Sequence, residues 1–258
     1  MSGIVEIAVQ DAAGARAAIG AGADRLELCQ ALSLGGLTPS AATVAAVCEA
    51  VGGDRVNVLV RPRGGGFVYD TAEIALVAAD IRACVARGAA GVVVGALDAG
   101  GYADREALAR WRDAAAGATL VFHRAIDASP RPDEVLDALL EEDVDRVLTS
   151  GGAARSIDGI DRLTAYAARA GERLEVAAGG GVTPRDIPAL LHAGVRAVHL
   201  SARATAGRDA PSGPGGGAEG HDVTDPVVVA AAVAAARHVS RTTPRRSLHT
   251  SPNPRRSS

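Results

Sequence analysis

Short β-branched runs alternate with longer alanine- and leucine-rich stretches along most of this chain. The apolar runs predict strands at Ile4–Val9, Arg25–Cys29, Val56–Arg61, Gly91–Gly95, Thr119–His123, Arg146–Thr149, Leu174–Ala178 and Ala197–Leu200. Between them the spacing predicts helices over Ala12–Ala21, Ala41–Val51, Ala72–Arg87, Arg105–Ala115, Pro132–Glu142, Ile157–Ala170 and Pro184–His192, with a last one over Pro226–His238. Strands alternating with helices through right-handed crossovers build a parallel sheet. Eight such units in 258 residues predict an α/β fold closed into a (β/α)8 TIM barrel. An open doubly wound sheet usually has fewer strands and a Gly-rich nucleotide turn near its start.

Polar punctuation supports these boundaries. Asp11, Thr71, Asp104 and Thr183 precede helical runs as N-caps, with Pro184 at a first helical position. Gly22, Gly88 and Gly194 follow helical runs and lead straight into strands, as C-cap glycines do. A unit of helix, AGA or AGV, then strand recurs as a weak internal repeat. One barrel domain is expected over residues 1–240. Ala206–Gly220, rich in glycine and proline, reads as a mobile loop over one rim, and residues 241–258, with five arginines and no acid, as a disordered basic tail.

Composition acts mainly by exclusion. All 27 cationic side chains are arginine, and a guanidinium cannot shed a proton and attack a carbonyl, so imine catalysis is ruled out. A net charge of −3 with interspersed signs gives no basic face for nucleic acid. No apolar run approaches the ~20 residues that span a bilayer. Met1–Gln10 carries Glu6 within a strand pattern rather than a signal peptide. Cys29, Cys48 and Cys84 are odd in number and lack CxxC spacing, as expected of reduced thiols in the cytoplasm.

In such barrels the chemistry sits at the carboxyl ends of the strands. Those positions carry Glu6, Glu27, Cys29, Arg61, Arg63, His123, Arg124, Asp127, Thr149, Ser150, Glu175, His199 and Ser201, with glycine turns at Gly151-Gly152 and Gly179-Gly180-Gly181. Side chains alternate along a strand, which aligns Glu27 with Cys29, Arg61 with Arg63 and His199 with Ser201. Buried acids require partners. Glu6, Glu27 and Glu175 therefore either pair with Arg61 or Arg124 to fill a barrel layer, or contact a ligand. His199 is either a satisfied core histidine or a ligand contact, and the same holds for His123. The glycine turns serve tight geometry, or present amides to an anion.

The strings VEIAVQD, GADRLELCQALSLGGLTPS, LVRPRGGGFVY, GVVVGAL, FHRAID, DRVLTSGGA, EVAAGGGV and VRAVHLSAR resemble the CutC family over nearly all of Val5–Arg203. The resemblance implies a TIM-type barrel, a cytosolic homo-oligomer and a copper-binding role. It places a Cu(I) ligand at Cys29, while the family's frequent second cysteine, in the first strand, is Ala8 here. Soft Cu(I) prefers two or more sulfur donors. The family string HRAFD stands as His123-Arg124-Ala125-Ile126-Asp127.

Two readings follow. One is a copper-binding protein with Cys29 as ligand and His123 or His199 as helpers. The other is an enzyme acting on a small anionic or phosphorylated metabolite. In it Arg61, Arg63, Arg124 and the glycine amides hold the anion, and Glu27, Glu175 or His123 is the general acid or base. A hard divalent ion on Glu6, Glu27 and Glu175 lacks HxH or ExxH spacing, and no GxSxG elbow marks a serine hydrolase.

Overall fold

A computed structural model describes residues 3–207 and 220–242. Strands β1 (Ile4–Val9), β2 (Arg25–Leu28), β3 (Val56–Leu59), β4 (Gly91–Val94), β5 (Thr119–Phe122), β6 (Arg146–Thr149), β7 (Glu175–Gly179) and β8 (Ala197–Leu200) are parallel and close into a ring in chain order. The seam is β8 against β1, where Ile4 lies opposite Ala197 and Ile7 opposite Leu200. This is the expected (β/α)8 barrel.

Helices α1 (Ala12–Gly20), α2 (Ala41–Val51), α3 (Thr71–Val85), α4 (Arg105–Ala115), α5 (Ala125–Ala128), α6 (Pro132–Glu141), α7 (Ile160–Ala170), α8 (Ile187–His192) and α9 (Pro226–Thr242) accompany the ring. Alternate strand residues such as Ile7, Leu26, Val58, Val94, Phe122 and Val147 face outward into one large apolar layer shared with helix residues such as Val47, Ile81, Trp111, Leu136 and Leu163. The inner face behaves differently. Its apolar residues form two small groups, Cys29 with Leu59, Val93 and Val121, and Leu148 with Ala177 and Ala197. Polar side chains occupy the space between them.

Several boundaries differ from the sequence pattern. β2, β3 and β5 stop before Cys29, Arg61 and His123, so these three stand in the loops just above the ring. The cap of α3 is Asp70 rather than Thr71: the Asp70 carboxylate accepts from Glu73 N at 2.8 Å, and Glu73 Oε2 accepts from Asp70 N at 2.9 Å. A reciprocal box satisfies two orphan donors at once, which a threonine one residue later would not. Thr183 does not cap α8; its N and Oγ1 donate to Asp186, and the helix starts only at Ile187. Asp11 and Asp104 cap as expected, and Gly22, Gly88 and Gly194 all take positive φ.

The segment expected as one loop over 206–220 is entered and left by an antiparallel ribbon, β9 (Arg203–Ala206) with β10 (His221–Thr224). Residues 208–219, and 243–258 of the expected tail, lie outside the described residues. Among the described residues no helix is long and apolar enough to cross a membrane.

Candidate functional site

A cavity of about 260 Å³ opens at the carboxyl end of the ring. It is lined by Glu27, Arg61, His123, Arg124, Gly180, Gly181, His199 and Ser201 from the sequence-derived candidates, and by Leu32, Gly35, Leu59, Phe67, Leu148, Val182 and Leu200.

The remaining candidates have other work. Glu175 is the first residue of β7, at the opposite end of the ring from the mouth, and its partners are Arg25 at 2.5 Å and Arg146 at 2.7 Å. Glu6, one layer above, bonds Arg25 at 2.5 Å, His199 Nδ1 at 2.9 Å and Asn57 at 3.3 Å. The acids are thus compensated, but by Arg25 and Arg146 rather than by Arg61 or Arg124. Strand register decides this: Arg25 lies beside Glu6 and Arg146 beside Glu175, whereas Arg61 and Arg124 stand in loops above the ring.

Arg63 turns outward onto Glu73, the Val68 carbonyl and the Tyr69 ring, and so braces its own loop. Asp127 holds the turn after β6: it accepts from Thr149 Oγ1 at 2.6 Å, Ser150 N at 2.9 Å and Gly152 N at 3.1 Å. Gly151 N donates to Thr149 Oγ1 at 3.0 Å. The Gly151-Gly152 amides are therefore spent inside the turn and are not free to cradle an anion. Arg124 links this scaffold to the cavity, with Nε on Asp127 at 2.8 Å and Nη2 on Ser150 Oγ at 3.0 Å. Gly180 makes room for it, since a Cβ there would lie 3.0 Å from Arg124 Cζ. A Cβ on Gly179 would meet Leu148 at 2.5 Å, so that glycine serves interior packing.

Three cavity-lining side chains carry polar atoms without a hydrogen-bond partner among the described residues. Arg61, 8% exposed, gives its two Nη atoms to the carbonyls of Leu34, Gly36 and Gly65, stacks over Phe67, and leaves Nε buried without an acceptor. Among the described residues no carboxylate lies within 4.0 Å of it. Glu27, 6% exposed, makes no hydrogen bond among the described residues. Burial, reinforced by the Glu6 charge, holds its pKa above the usual carboxylate value against the pull of His199 and Arg146. For His199 burial opposes the cation, but the facing Glu27 and Glu6 outweigh it and raise its pKa.

The third group is His123. Its Nδ1 accepts from Ala125 N at 3.1 Å, which fixes the neutral tautomer with hydrogen on Nε2, and that Nε2 is buried without a partner. The ring rests against Phe67 at 4.9 Å, and a Cβ on Gly95 would fall 2.4 Å from its Nδ1 and Cε1. That side is closed, and the ring as a whole lines the cavity with Nε2 buried at its edge. Burial, then the Arg61 charge, pushes its pKa down to about 3. His123 is a hydrogen-bond donor at neutral pH, not a base.

This last property has a solution signature. The unfolded imidazole takes its proton near 6.5 and the native one only near 3. Native stability is therefore full above pH 6.5 and falls as the pH drops towards 3, at about 1.4 kcal/mol per pH unit from this one group. Urea unfolding between pH 7 and pH 4.5 should show a slope about one proton shallower in His123→Gln than in the parent. Equal slopes would mean that the native ring is already protonated.

Cys29 lies apart from the cavity. Its thiol is fully buried among Leu59, Val93 and Val121, 3.8 Å from the Val9 carbonyl, and burial followed by the Glu27 charge pushes its pKa up. The donor atoms of Glu6, Glu27 and His199 lie within 4.8 Å of one another, close enough to share a cation. Glu6 is already held by Arg25 and His199, with Arg146 3.8 Å away, so a metal would displace existing partners while a proton would not.

The sequence pattern missed Arg25 and Arg146, as well as the apolar wall. Both arginines follow an aspartate that binds the start of the preceding strand: Asp24 accepts from Val5 N at 2.8 Å and Asp145 from Leu120 N at 2.7 Å. The shared Asp-Arg dipeptide at two strand starts was the available signal.

Comparison with known proteins agrees with the strings noted above. The CutC family model matches residues 3–204. The family protein CutC of Xanthomonas campestris is 42% identical over 200 residues, covering 77% of this chain and 83% of that protein. Its counterpart in Caulobacter vibrioides is 41% identical over 199 residues, 77% of this chain and 80% of that one. The solved structure described as copper homeostasis protein CutC from Streptococcus agalactiae superposes with a TM-score of 0.71 at 29% identity, over 76% of this chain and 97% of that one.

Proposed function

The chain belongs to the CutC family, and from that premise we propose that its barrel mouth binds a small organic anion and exchanges protons with it through Glu27. The observation that carries the reading is Arg61. A guanidinium buried against a cavity wall, bonded to neutral carbonyls and stacked on Phe67 with no carboxylate beside it among the described residues, is a charge whose desolvation is only partly offset. An anion in the cavity offsets it, and Arg124 adds a second cation on the same wall. Glu27 alone does not cancel the attraction, because it faces His199, whose protonated form it and Glu6 favour. A buried carboxylate with a raised pKa beside a cavity suits general acid–base work. The apolar lining residues Leu59, Phe67 and Leu148 and a volume of about 260 Å³ limit the ligand to a compact molecule.

Thermal unfolding of the full chain with oxalate, succinate or inorganic phosphate tests this. An anion at about 100 times its Kd stabilises by about 2.7 kcal/mol, and a chain of this size gains roughly 2–4 °C per kcal/mol, so a rise of roughly 5–10 °C is expected. Arg61→Met should lose it. A midpoint that none of the three anions moves defeats the reading.

Copper is the second reading, supported by the name of the Streptococcus agalactiae protein and by the cysteine of the ELC string. The residues present do not fit Cu(I). The Cys29 thiol is buried, held protonated by its surroundings, and unaccompanied by a second sulfur in its cluster. Titration of the reduced protein with Cu(I) against a competing chelator, in parent and Cys29→Ser, decides it: copper retention lost in the variant would restore the copper reading. Three free thiols support a cytoplasmic location, and the family resemblance supports a homo-oligomer.

A further inference from the structure

The three cavity-lining groups that carry an unpaired polar atom differ in kind, and together they specify more than an anion. Arg61 offers a cation, His123 a neutral N–H donor whose tautomer is fixed from behind by Ala125, and Glu27 a carboxylate with no donor of its own. Glu27 rises from β2 and His123 follows β5, three strands apart around the ring, so they face the ligand from different sides. We propose that the bound anion is a small carbonyl compound, that His123 Nε2–H hydrogen-bonds its carbonyl oxygen, and that Glu27 removes a proton from the carbon next to that carbonyl. This rests on the reading of the mouth as an anion site and deepens it to a substrate class.

The step balances without a co-reactant. The C–H bond breaks and its proton forms an O–H bond with Glu27. The released electron pair becomes the carbon–carbon π bond, and the carbonyl π pair moves onto oxygen, giving an enolate. His123 Nε2–H stabilises that oxygen without itself losing or gaining a proton. Returning the proton to the same face exchanges it with solvent, and returning it to the opposite face epimerises a stereogenic carbon. Where that carbon bears a hydroxyl, moving the hydroxyl proton to the former carbonyl oxygen and the C–H proton to the former carbonyl carbon isomerises the substrate with no outside oxidant or reductant. A neutral imidazole is the better donor here, because its N–H matches an enolate oxygen in acidity and no imidazolium charge has to be desolvated. His123 is prepared for that role by geometry: Gly95 leaves just enough space for the ring, Phe67 covers it, and Ala125 N occupies the nitrogen that would otherwise accept a proton. The absence of lysine removes the imine route to the same carbanion.

Two measurements on the full chain test the proposal. In deuterium oxide, pyruvate, 2-oxoglutarate and dihydroxyacetone phosphate are each followed by proton NMR for loss of the C–H signal next to the carbonyl. At least one should exchange more than tenfold faster with protein than in buffer, Glu27→Gln should abolish the acceleration, and His123→Gln should reduce it at least tenfold. In parallel, nitrogen NMR of histidine-labelled parent protein is recorded with oxalate, a planar mimic of an enolate. The His123 Nε2 proton should move downfield while Nδ1 stays unprotonated, a readout that needs no variant to fold. If oxalate binds but leaves the His123 resonance in place, or no carbonyl compound exchanges, the carbonyl proposal falls and the anion site stands. If oxalate does not bind at all, both fall.

Discussion

Replacing Arg25 by methionine is expected to lower the unfolding midpoint by roughly 10 °C, from a loss of about 3–5 kcal/mol at roughly 2–4 °C per kcal/mol. Arg25 bridges Glu6 and Glu175, each at 2.5 Å, inside the ring. Burial works against its charge, but the two carboxylates outweigh this and raise its pKa. Methionine fills most of the volume, so the cost is electrostatic: Glu175 would be left to Arg146, which already carries a lowered pKa from burial and from repulsion by Arg25, and Glu6 to His199, Asn57 and that same arginine. Arg105, which also bridges two glutamates, provides the control. Its partners Glu141 and Glu142 lie at the surface and its own side chain is 50% exposed, so Arg105→Met should cost less than about 1 kcal/mol. Thermal and urea unfolding of the two variants measure the difference, and similar losses would show that the inner network is as well hydrated as the outer pair.

Glu27→Gln is expected to have the opposite sign on stability. The carboxylate is buried, makes no hydrogen bond among the described residues, and lies close to the Glu6 charge. An amide of the same shape is cheaper to bury, and the variant should gain about 1–3 kcal/mol at pH 7. Part of that gain is returned because His199 loses a facing carboxylate, so the histidine pKa should fall as well. The same variant should lose all proton-exchange activity. A residue that destabilises the native state while resting against a cavity is held for what it does to a ligand. If Glu27→Gln instead unfolds more easily, the carboxylate is a structural counter-ion to His199 and has no claim to chemistry.

The barrel was legible in the sequence because its strands are buried on both faces and read as short, mostly apolar and β-branched runs, several of them with glycine at the preceding helix end. The mouth was legible in part. Arg61, His123, Arg124 and His199 follow or end strands, and position alone places them there. What the pattern could not resolve was height within the ring. Glu27 and Glu175 both read as acids in apolar strands, yet one is the third residue of β2 and the other the first of β7, and only the stagger between strands sends one to the cavity and the other to the far end. Nor does a sequence tell which arginine answers which acid. Arg25 and Arg146 do so because they lie side by side with Glu6 and Glu175 across the ladder, a relation between residues far apart in the chain. Asp127 misled for a related reason: it sits beside a histidine and an arginine in HRAID, but it faces the turn after β6.

Gly95 has a consequence for how this molecule can change over generations. Any side chain there would need the volume the imidazole at 123 now fills, so the two positions can exchange bulk only together. Descendants that acquire alanine at 95 must first give up the ring, and with it a neutral donor that lines the cavity. The glycine is a historical lock, conserving a neighbour it never bonds.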